Sequence, residues 1–315
     1  MITRRRFLAT SATAATAAWL APRNLFAQQD VQEPEMVVHG RAAAATAKIT
    51  TQKLQGNVSV LLGSGGNIAV LPGPEGKLLV DAGISTSKPQ ITEALAAISP
   101  DPIQHLVNTH WHWDHTDGNL WMHAAGATII AHERTRRRLS SPQVIAAFNA
   151  TFPALPADAL PTKIFTDTDT LTTNGATLLL SHYDPAHTDT DISVLFTDAD
   201  VLHTGDTWFN GVYPFIDYST GGHIDGMIRA TQRNLATGTG STIVIPGHGP
   251  VGDKDQLSQS LDMLTAIRDK VAALKKQGKT VDEAVAAKPT AQFDEKWGKG
   301  FVQPEMFVKL VYQGV

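Results

Sequence analysis

The most informative part of the chain is the stretch Asn108-Thr109-His110-Trp111-His112-Trp113-Asp114-His115, which follows a predicted apolar strand. In extended backbone, alternate side chains share a face, so His110, His112 and Asp114 can converge. A tightening of the loop would bring His115 round to the other side. Three imidazoles and one carboxylate within six residues predict a metal site. A polar run on an exposed loop is the alternative, but the two interleaved tryptophans favour a semi-buried site.

Three further segments each place one potential ligand directly after a predicted strand. A single histidine or aspartate at such a position is usually a turn or cap residue. Together, however, the three segments predict ligands that project from the same edge of a pair of sheets. The segments are Asp184-Pro185-Ala186-His187-Thr188, His203-Thr204-Gly205-Asp206-Thr207-Trp208 and Pro246-Gly247-His248-Gly249-Pro250.

The composition is that of a folded protein whose metal ligands are nitrogen and oxygen atoms. The 315 residues are 42% hydrophobic and 18% charged, which is typical of a globular chain with a substantial core. Cysteine is absent, which excludes disulfides, thiolate metal sites and a cysteine nucleophile, whereas histidine occurs 12 times. The turn Gly63-Ser64-Gly65-Gly66 does not match a phosphate-binding loop, and no G-x-S-x-G motif occurs.

Strand and helix patterns alternate in both halves of the chain and predict the class α/β (α+β). We expect two mixed β-sheets packed together, with helices on their outer faces. The predicted strands are 49–54, 58–62, 68–71, 78–81, 104–108, 128–131, 163–165, 176–181, 192–197, 201–204 and 242–245. The predicted helices are 88–98, 116–125, 133–150, 225–235, 255–276 and 281–287.

The first 27 residues have the pattern of an export signal. Thr3-Arg4-Arg5-Arg6-Phe7-Leu8 precedes an apolar run that is too short to span a membrane, which is typical of a twin-arginine signal peptide. The alternative is an N-terminal membrane anchor. We therefore expect a signal at 1–27, an N-terminal extension at 28–47, one domain at 48–315, a periplasmic or secreted location and no stable membrane insertion after cleavage.

The charge of the chain argues against nucleic acid as a partner. Removal of residues 1–27 would take away Arg4, Arg5, Arg6 and Arg23 and no acidic residue, so the net charge of −4 would become −8. Such a surface repels phosphates. The expected partner is a small-molecule carbonyl substrate, and the oligomeric state stays open.

The order H-x-H-x-D-H, His, Gly-Asp and Pro-Gly-His-Gly resembles the metallo-β-lactamase superfamily over residues 48 to 251. The resemblance implies an αββα sandwich with the site at one rim. It also implies that His110, His112 and His187 hold a first metal, that Asp114, His115 and His248 hold a second, and that Asp206 bridges both. Two Zn²⁺ ions are the default cofactors, and iron or manganese would also accept these donors. Hydroxide on the metals would attack a carbonyl, with Asp114 orienting it.

The resemblance leaves several reactions open. The predicted export signal and the resemblance to this superfamily together make hydrolysis of a β-lactam ring the first expectation. Asp206 departs from dedicated β-lactamases, which generally have cysteine or serine in that region, and favours a lactonase or a thioester hydrolase of the glyoxalase II type. The cytosolic substrate of the latter fits an exported protein poorly. An iron-dependent redox enzyme and a binding protein without turnover are further alternatives. Trp208, Tyr213 and His223 are the predicted substrate contacts.

Overall fold

The computed structural model describes residues 33–315, and nearly all of its strands belong to two β-sheets. The strands are β1 (Thr50–Lys53), β2 (Ser59–Leu62), β3 (Ile68–Leu71), β4 (Lys77–Val80), β5 (Ile103–Val107), β6 (Thr128–His132), β7 (Gln143–Ile145), β8 (Ala150–Phe152), β9 (Lys163–Phe165), β10 (Thr168–Thr173), β11 (Ala176–His182), β12 (Ile192–Phe196), β13 (Val201–His203) and β14 (Ile243–Ile245).

The α-helices of the described residues connect these strands or follow the last of them. They are α1 (Glu35–Ala45), α2 (Lys88–Ile98), α3 (Trp113–Thr116), α4 (Asn119–Ala124), α5 (Glu133–Leu139), α6 (Ile224–Ala236), α7 (Lys254–Lys276), α8 (Val281–Ala286), α9 (Asp294–Trp297) and α10 (Pro304–Gly314).

Both sheets are mixed. The larger has the order β1-β2-β3-β4-β5-β6-β9, antiparallel from β1 to β4 and parallel from β4 to β9. The smaller has the order β10-β11-β12-β13-β14, antiparallel except for the parallel pair β13 and β14. Strands β11, β13 and β14 therefore run in the same direction, so their carboxyl ends lie at one edge.

The core forms in layers because the central strands are apolar on both faces. Leu78 and Val80 of β4 pack against β11 in the space between the two sheets, whereas Leu79 between them faces α2 and α4. On the far side of the second sheet, Val244 of β14 packs against Leu257 of α7. The layers are thus helix, sheet, sheet, helix, and the predicted αββα sandwich is confirmed.

The predicted helix 133–150 is wrong in its second half. Helix α5 ends at Leu139, and the chain then forms a two-stranded hairpin from β7 to β8. Pro142 explains the break, because proline has no amide hydrogen to donate and disfavours helical backbone in the residue before it. The hairpin turns at Asn149, which adopts left-handed backbone with φ 47°. The hairpin over Gln143–Phe152 lies next to the candidate site described below.

Several elements were not predicted at all. Polar, threonine-rich β10 pairs with β11 at the edge of the smaller sheet, and α10 closes the chain. Helix α1 lies within the predicted extension 28–47, where its Val37 is buried in the core. The predicted signal at 1–27 lies outside the described residues. No helix among residues 33–315 combines the length and apolar character needed to cross a membrane.

Candidate metal centre

The octapeptide after β5 does not continue as a strand. His110 follows the end of β5, and His112 directly precedes the short helix α3, which begins at Trp113. Asp114 and His115 therefore lie on a helical turn instead of extended backbone. The turn separates the four side chains into two groups, with His110 and His112 in one and Asp114 and His115 in the other.

The first group of potential ligands consists of His110, His112, His187 and Asp206. One ligand atom from each lies within 4.8 Å of every other, and all four residues are buried. Nδ1 of His112 is 2.8 Å from Nε2 of His187. Oδ2 of Asp206 is 3.5 Å from Nε2 of His187 and 3.8 Å from Nε2 of His110. Residues from three different strand ends thus converge on one point.

The second group consists of Asp114, His115 and His248, whose ligand atoms also lie within 4.8 Å of one another. Nε2 of His248 is 3.2 Å from both Nε2 of His115 and Oδ2 of Asp114. Asp206 reaches this group as well, with Oδ1 at 3.1 Å from His115 and Oδ2 at 3.4 Å from His248. The Asp206 carboxylate therefore lies between the two groups.

Two glycines make room for these close approaches. A Cβ at Gly66 would overlap the imidazole of His115, and one at Gly247 would overlap Oδ1 of Asp206. Gly66 and Gly247 belong to loops that are bonded to each other, because the Asn67 amide donates to the carbonyl of Gly247 at 2.8 Å. The close packing of His115 and Asp206 thus requires glycine at both positions.

Carboxylates that the sequence analysis missed orient two of the imidazoles. Asp81, at the end of β4, accepts hydrogen bonds from Nδ1 of His115 at 2.7 Å and from the amide of Thr109 at 2.8 Å. Asp217 lies 3.2 Å from Nε2 of His112. Such bonds fix the tautomer and leave the other ring nitrogen free to bind a metal. Asp81 follows an apolar strand and could have been noticed, whereas the sequence carries no signal for Asp217.

Two further imidazoles are held by neutral groups. The carbonyl of Phe215 lies 2.8 Å from Nδ1 of His187. The Thr109 hydroxyl lies 3.0 Å from Nδ1 of His110 and 2.8 Å from Asp81, so its hydrogen can go to Asp81 while its oxygen accepts from His110. Nε2 of His110 is buried without a hydrogen-bond partner among residues 33–315. An inward-pointing nitrogen of this kind fits a metal ligand, because buried polar atoms otherwise find partners.

The charges of the site favour ionised carboxylates. Burial opposes ionisation of Asp206, but His115 and His248 hold its pKa well below the usual value. Burial likewise opposes ionisation of Asp114, whose pKa His115 and His248 lower to about 2. Burial lowers the pKa of His248, but Asp206 and Asp114 outweigh it and raise the pKa to about 9. The two carboxylates thus attract positive charge, which divalent cations would supply.

A cavity of about 1070 Å³ opens onto both groups, and Asp114, His187, Asp206 and His248 are part of its lining. Tyr213 also lines the cavity, while its hydroxyl donates to Asp294 at 2.9 Å. The other two predicted substrate contacts are not in the lining. Trp208 is buried against α7, and His223 caps α6 by accepting from the amide of Asp225.

Comparison with known proteins identifies one matching family and several solved structures with a similar fold. A family model described as the metallo-beta-lactamase superfamily matches residues 61–274, which is most of the chain. A metallo-beta-lactamase from Pontibacter korlensis is 20% identical with a TM-score of 0.56, over 69% of this chain and 99% of that one. The DIM-1 metallo-beta-lactamase is 21% identical with a TM-score of 0.55, over 69% and 97%.

A third structure is similar over more of this chain. The sec-alkylsulfatase Pisa1 from Pseudomonas sp. is 16% identical with a TM-score of 0.62, and the match covers 90% of this chain. This chain spans 53% of the sulfatase, about half its length. At these identities the three structures show a shared fold. The family match and the histidine and aspartate groups at one rim of that fold show that the chain belongs to the metallo-β-lactamase superfamily and is a metal-dependent hydrolase.

Proposed function

We propose that the protein hydrolyses lactones or carboxylic esters at a two-metal site. The observation that carries the proposal is the Asp206 carboxylate, which contacts ligand atoms of both groups. In having a carboxylate at this position, the site resembles those of lactonases and thioester hydrolases more than those of dedicated β-lactamases. The predicted export signal favours lactones and esters over the cytosolic glutathione thioester of a glyoxalase.

The donors fit two divalent cations, with zinc as the default. His110, His112 and His187 would hold one, Asp114, His115 and His248 the other, and Asp206 would contact both. When bound, such cations lower the pKa of water to roughly 7 and polarise a carbonyl oxygen. Nitrogen and carboxylate donors without thiolates would also accept iron or manganese.

The chain itself supplies orientation at the reacting centre. Asp114 lines the cavity and, with a pKa of about 2, stays ionised at neutral pH. Its free carboxylate oxygen can accept a hydrogen bond from the attacking water and so hold it toward the substrate. The ring of Phe209 stacks on His248 with centroids 5.2 Å apart, which keeps that imidazole in place beside the cavity.

β-Lactam hydrolysis is the second candidate, because two of the similar solved structures are metallo-β-lactamases. The test is a panel on protein of known metal content: aliphatic lactones, neutral carboxylic esters, thioesters, penicillins, carbapenems and secondary alkyl sulfates. We expect turnover of lactones or esters to exceed that of β-lactams. A clear preference for penicillins or carbapenems would contradict the proposal, as would hydrolysis of alkyl sulfates alone.

Substitution of the shared carboxylate tests the role of both groups. Asp206→Asn keeps the size of the side chain but removes its charge, so we expect loss of at least one metal ion per chain and a fall of about 100-fold or more in kcat/KM. Metal content is measured by elemental analysis after dialysis. Asp198→Asn, at an aspartate outside both groups, is the control. Wild-type metal content and rate in Asp206→Asn would show that the carboxylate does not bridge.

A further inference from the structure

We infer that the substrate carries a large, uncharged apolar group next to the carbonyl that is attacked. The inference rests on the proposed function and adds a substrate class to it. The proposed binding place is the apolar chamber, the part of the cavity whose lining consists of hydrophobic side chains. The chamber is lined by Met36, Trp113, Ile145, Phe148, Phe215 and Phe301.

The cavity is larger than a reacting group needs. Its volume of about 1070 Å³ slightly exceeds the range of roughly 300–1,000 Å³ that is typical of small-molecule sites. Five candidate metal ligands form part of the lining, namely His112, Asp114, His187, Asp206 and His248. A lactone ring or ester group bound at these ligands would fill only part of the cavity, so the chamber has room for a further part of the substrate.

The chemistry of the lining selects against an anionic group. Among residues 33–315, no lysine or arginine lines the cavity. The titratable side chains that α1 contributes to the lining are Glu35 and His39, and the carboxylate of Glu35 lies 4.0 Å from the imidazole of His39. A substrate carboxylate or sulfate buried in the chamber would lose its water without gaining a cation, which is costly. An alkyl or aryl group, by contrast, gains free energy from the same burial.

Three aromatic rings form a continuous apolar surface at the mouth of the chamber. The ring of Phe148, on the hairpin over Gln143–Phe152, lies 4.7 Å from that of Phe215 and 5.3 Å from that of Phe301. Phe301 is 66% exposed, the most exposed of the large hydrophobic residues among residues 33–315. Apolar surface gathered at the opening of an active site is a mark of a binding site.

Two of the chamber residues come from segments outside the part of the chain that matches the family. Met36 on α1 precedes residue 61, and Phe301 follows residue 274. Helix α1 is held in place by Arg41, whose Nε donates to Asp117 at 3.2 Å, one turn after the ligands on α3. Segments on both sides of the family match therefore complete a chamber whose other lining residues belong to the matched part of the chain.

The test uses neutral esters with one leaving group and acyl chains from acetyl to decanoyl, on the metal-loaded protein. Each buried methylene contributes about 0.8 kcal/mol, so we expect kcat/KM to rise about fourfold per methylene until the chamber is filled, mainly through KM. Phe148→Ala should reduce kcat/KM for the decanoyl ester about tenfold more than for the acetyl ester. Val144→Ala, exposed on the same hairpin, should leave the series unchanged.

A binding measurement separates this inference from the proposed function. Nile red, a neutral apolar dye, should fluoresce on the protein, be displaced by decanol and not by butanol, and bind more weakly to Phe148→Ala. Dye binding of this kind in a protein that hydrolyses no ester or lactone would support the chamber and contradict the proposed function. Ester hydrolysis that is indifferent to chain length, a preference for carboxylate-bearing substrates or no dye binding would each overturn the inference.

Discussion

Asp217 contacts the candidate metal centre through one hydrogen bond, to His112. It is buried, accepts from the Thr220 hydroxyl at 2.5 Å and faces Nε2 of His112, which leaves Nδ1 of His112 to point at the first group of ligands. A carboxylate in this position holds the imidazole in the tautomer and direction that metal binding needs. The strength of metal binding should therefore depend on a residue that does not itself contact the metal.

We expect Asp217→Ala to weaken metal binding about 10- to 100-fold, the range typical of lost outer partners of ligand histidines. Asp217→Asn should restore part of the affinity, because its amide oxygen still accepts from His112. Affinity is measured by competition with a chromogenic chelator. Asp200→Asn is the control, since Asp200 also accepts from threonine hydroxyls, those of Thr239 and Thr242, and belongs to neither group of ligands. Equal affinity in Asp217→Ala and wild type would refute the orienting role.

Gly66 acts by having no side chain. We expect Gly66→Ala to push the His115 ring away from Asp114 and His248, so that the folded protein retains fewer metal ions and loses about 100-fold in activity. Circular dichroism reports folding and elemental analysis reports the metal. Gly240→Ala is the control, because no atom lies within 4 Å of a Cβ built there. A fully metal-loaded Gly66→Ala protein would contradict the steric argument.

At the scale of elements, the ends of β6 and β11 are joined by two stacked histidines. The rings of His132 and His182 are 3.8 Å apart and inclined by only 5°, so the pair connects the larger sheet with the smaller one. His132 also caps α5 by accepting from the amide of Arg134. Burial and the neighbouring His182 lower the pKa of His132 to about 4, and burial lowers that of His182.

These lowered pKa values predict loss of stability in acid. The ordinary pKa of histidine is 6.5, so between about pH 6.5 and pH 4 the unfolded chain binds a proton at His132 that the folded chain excludes. The stabilisation of the folded state by neutral His132 is complete above pH 6.5 and is lost as the pH falls through about 4. We expect His132→Asn, which keeps a capping side chain, to show a shallower fall of the melting temperature over this range.

At each pH, the melting temperature of the variant is compared with that of the wild type. Protonation of the ligand histidines in acid affects both proteins equally, so the difference reports on His132. His39→Asn is the control, since the side chain of His39 is 74% exposed on α1. Parallel melting curves for His132→Asn and wild type from pH 7.5 to pH 4 would show that the stacked pair does not sense acid.

On the scale of the whole molecule, stability depends on the apolar layer between the two sheets. Leu180 of β11 is fully buried there, whereas its neighbour Leu179 points the other way and is 39% exposed. We expect Leu180→Ala to lower the free energy of unfolding by about 2–5 kcal/mol through the cavity that it leaves. Leu179→Ala, the matched control, should cost less than about 1 kcal/mol. Both are measured by urea denaturation, and equal losses would contradict the layered core.

The layered core also explains how the ligands meet. β11, β13 and β14 end at the same edge, so His187, Asp206 and His248 arrive there from separate parts of the chain, opposite the residues that follow β5. The pairing of the strands fixes this convergence, and the short turns after each strand supply the donors. The flanking helix α1 and the loop at Phe301 then complete the cavity around it.

The sequence by itself determined the layers of the fold and the side chains able to bind cations, because both are written in short-range patterns. Apolar runs of strand length indicate the sheets, and the donors lie in the segments that follow such runs, with glycine or proline close to His187, Asp206 and His248. Only the tertiary structure decided what surrounds those donors. Asp217 meets His112 across 105 residues of chain, a hairpin replaces half of a predicted helix, and both flanks of the chain supply cavity walls. Such contacts depend on packing between distant segments, and no local propensity encodes them.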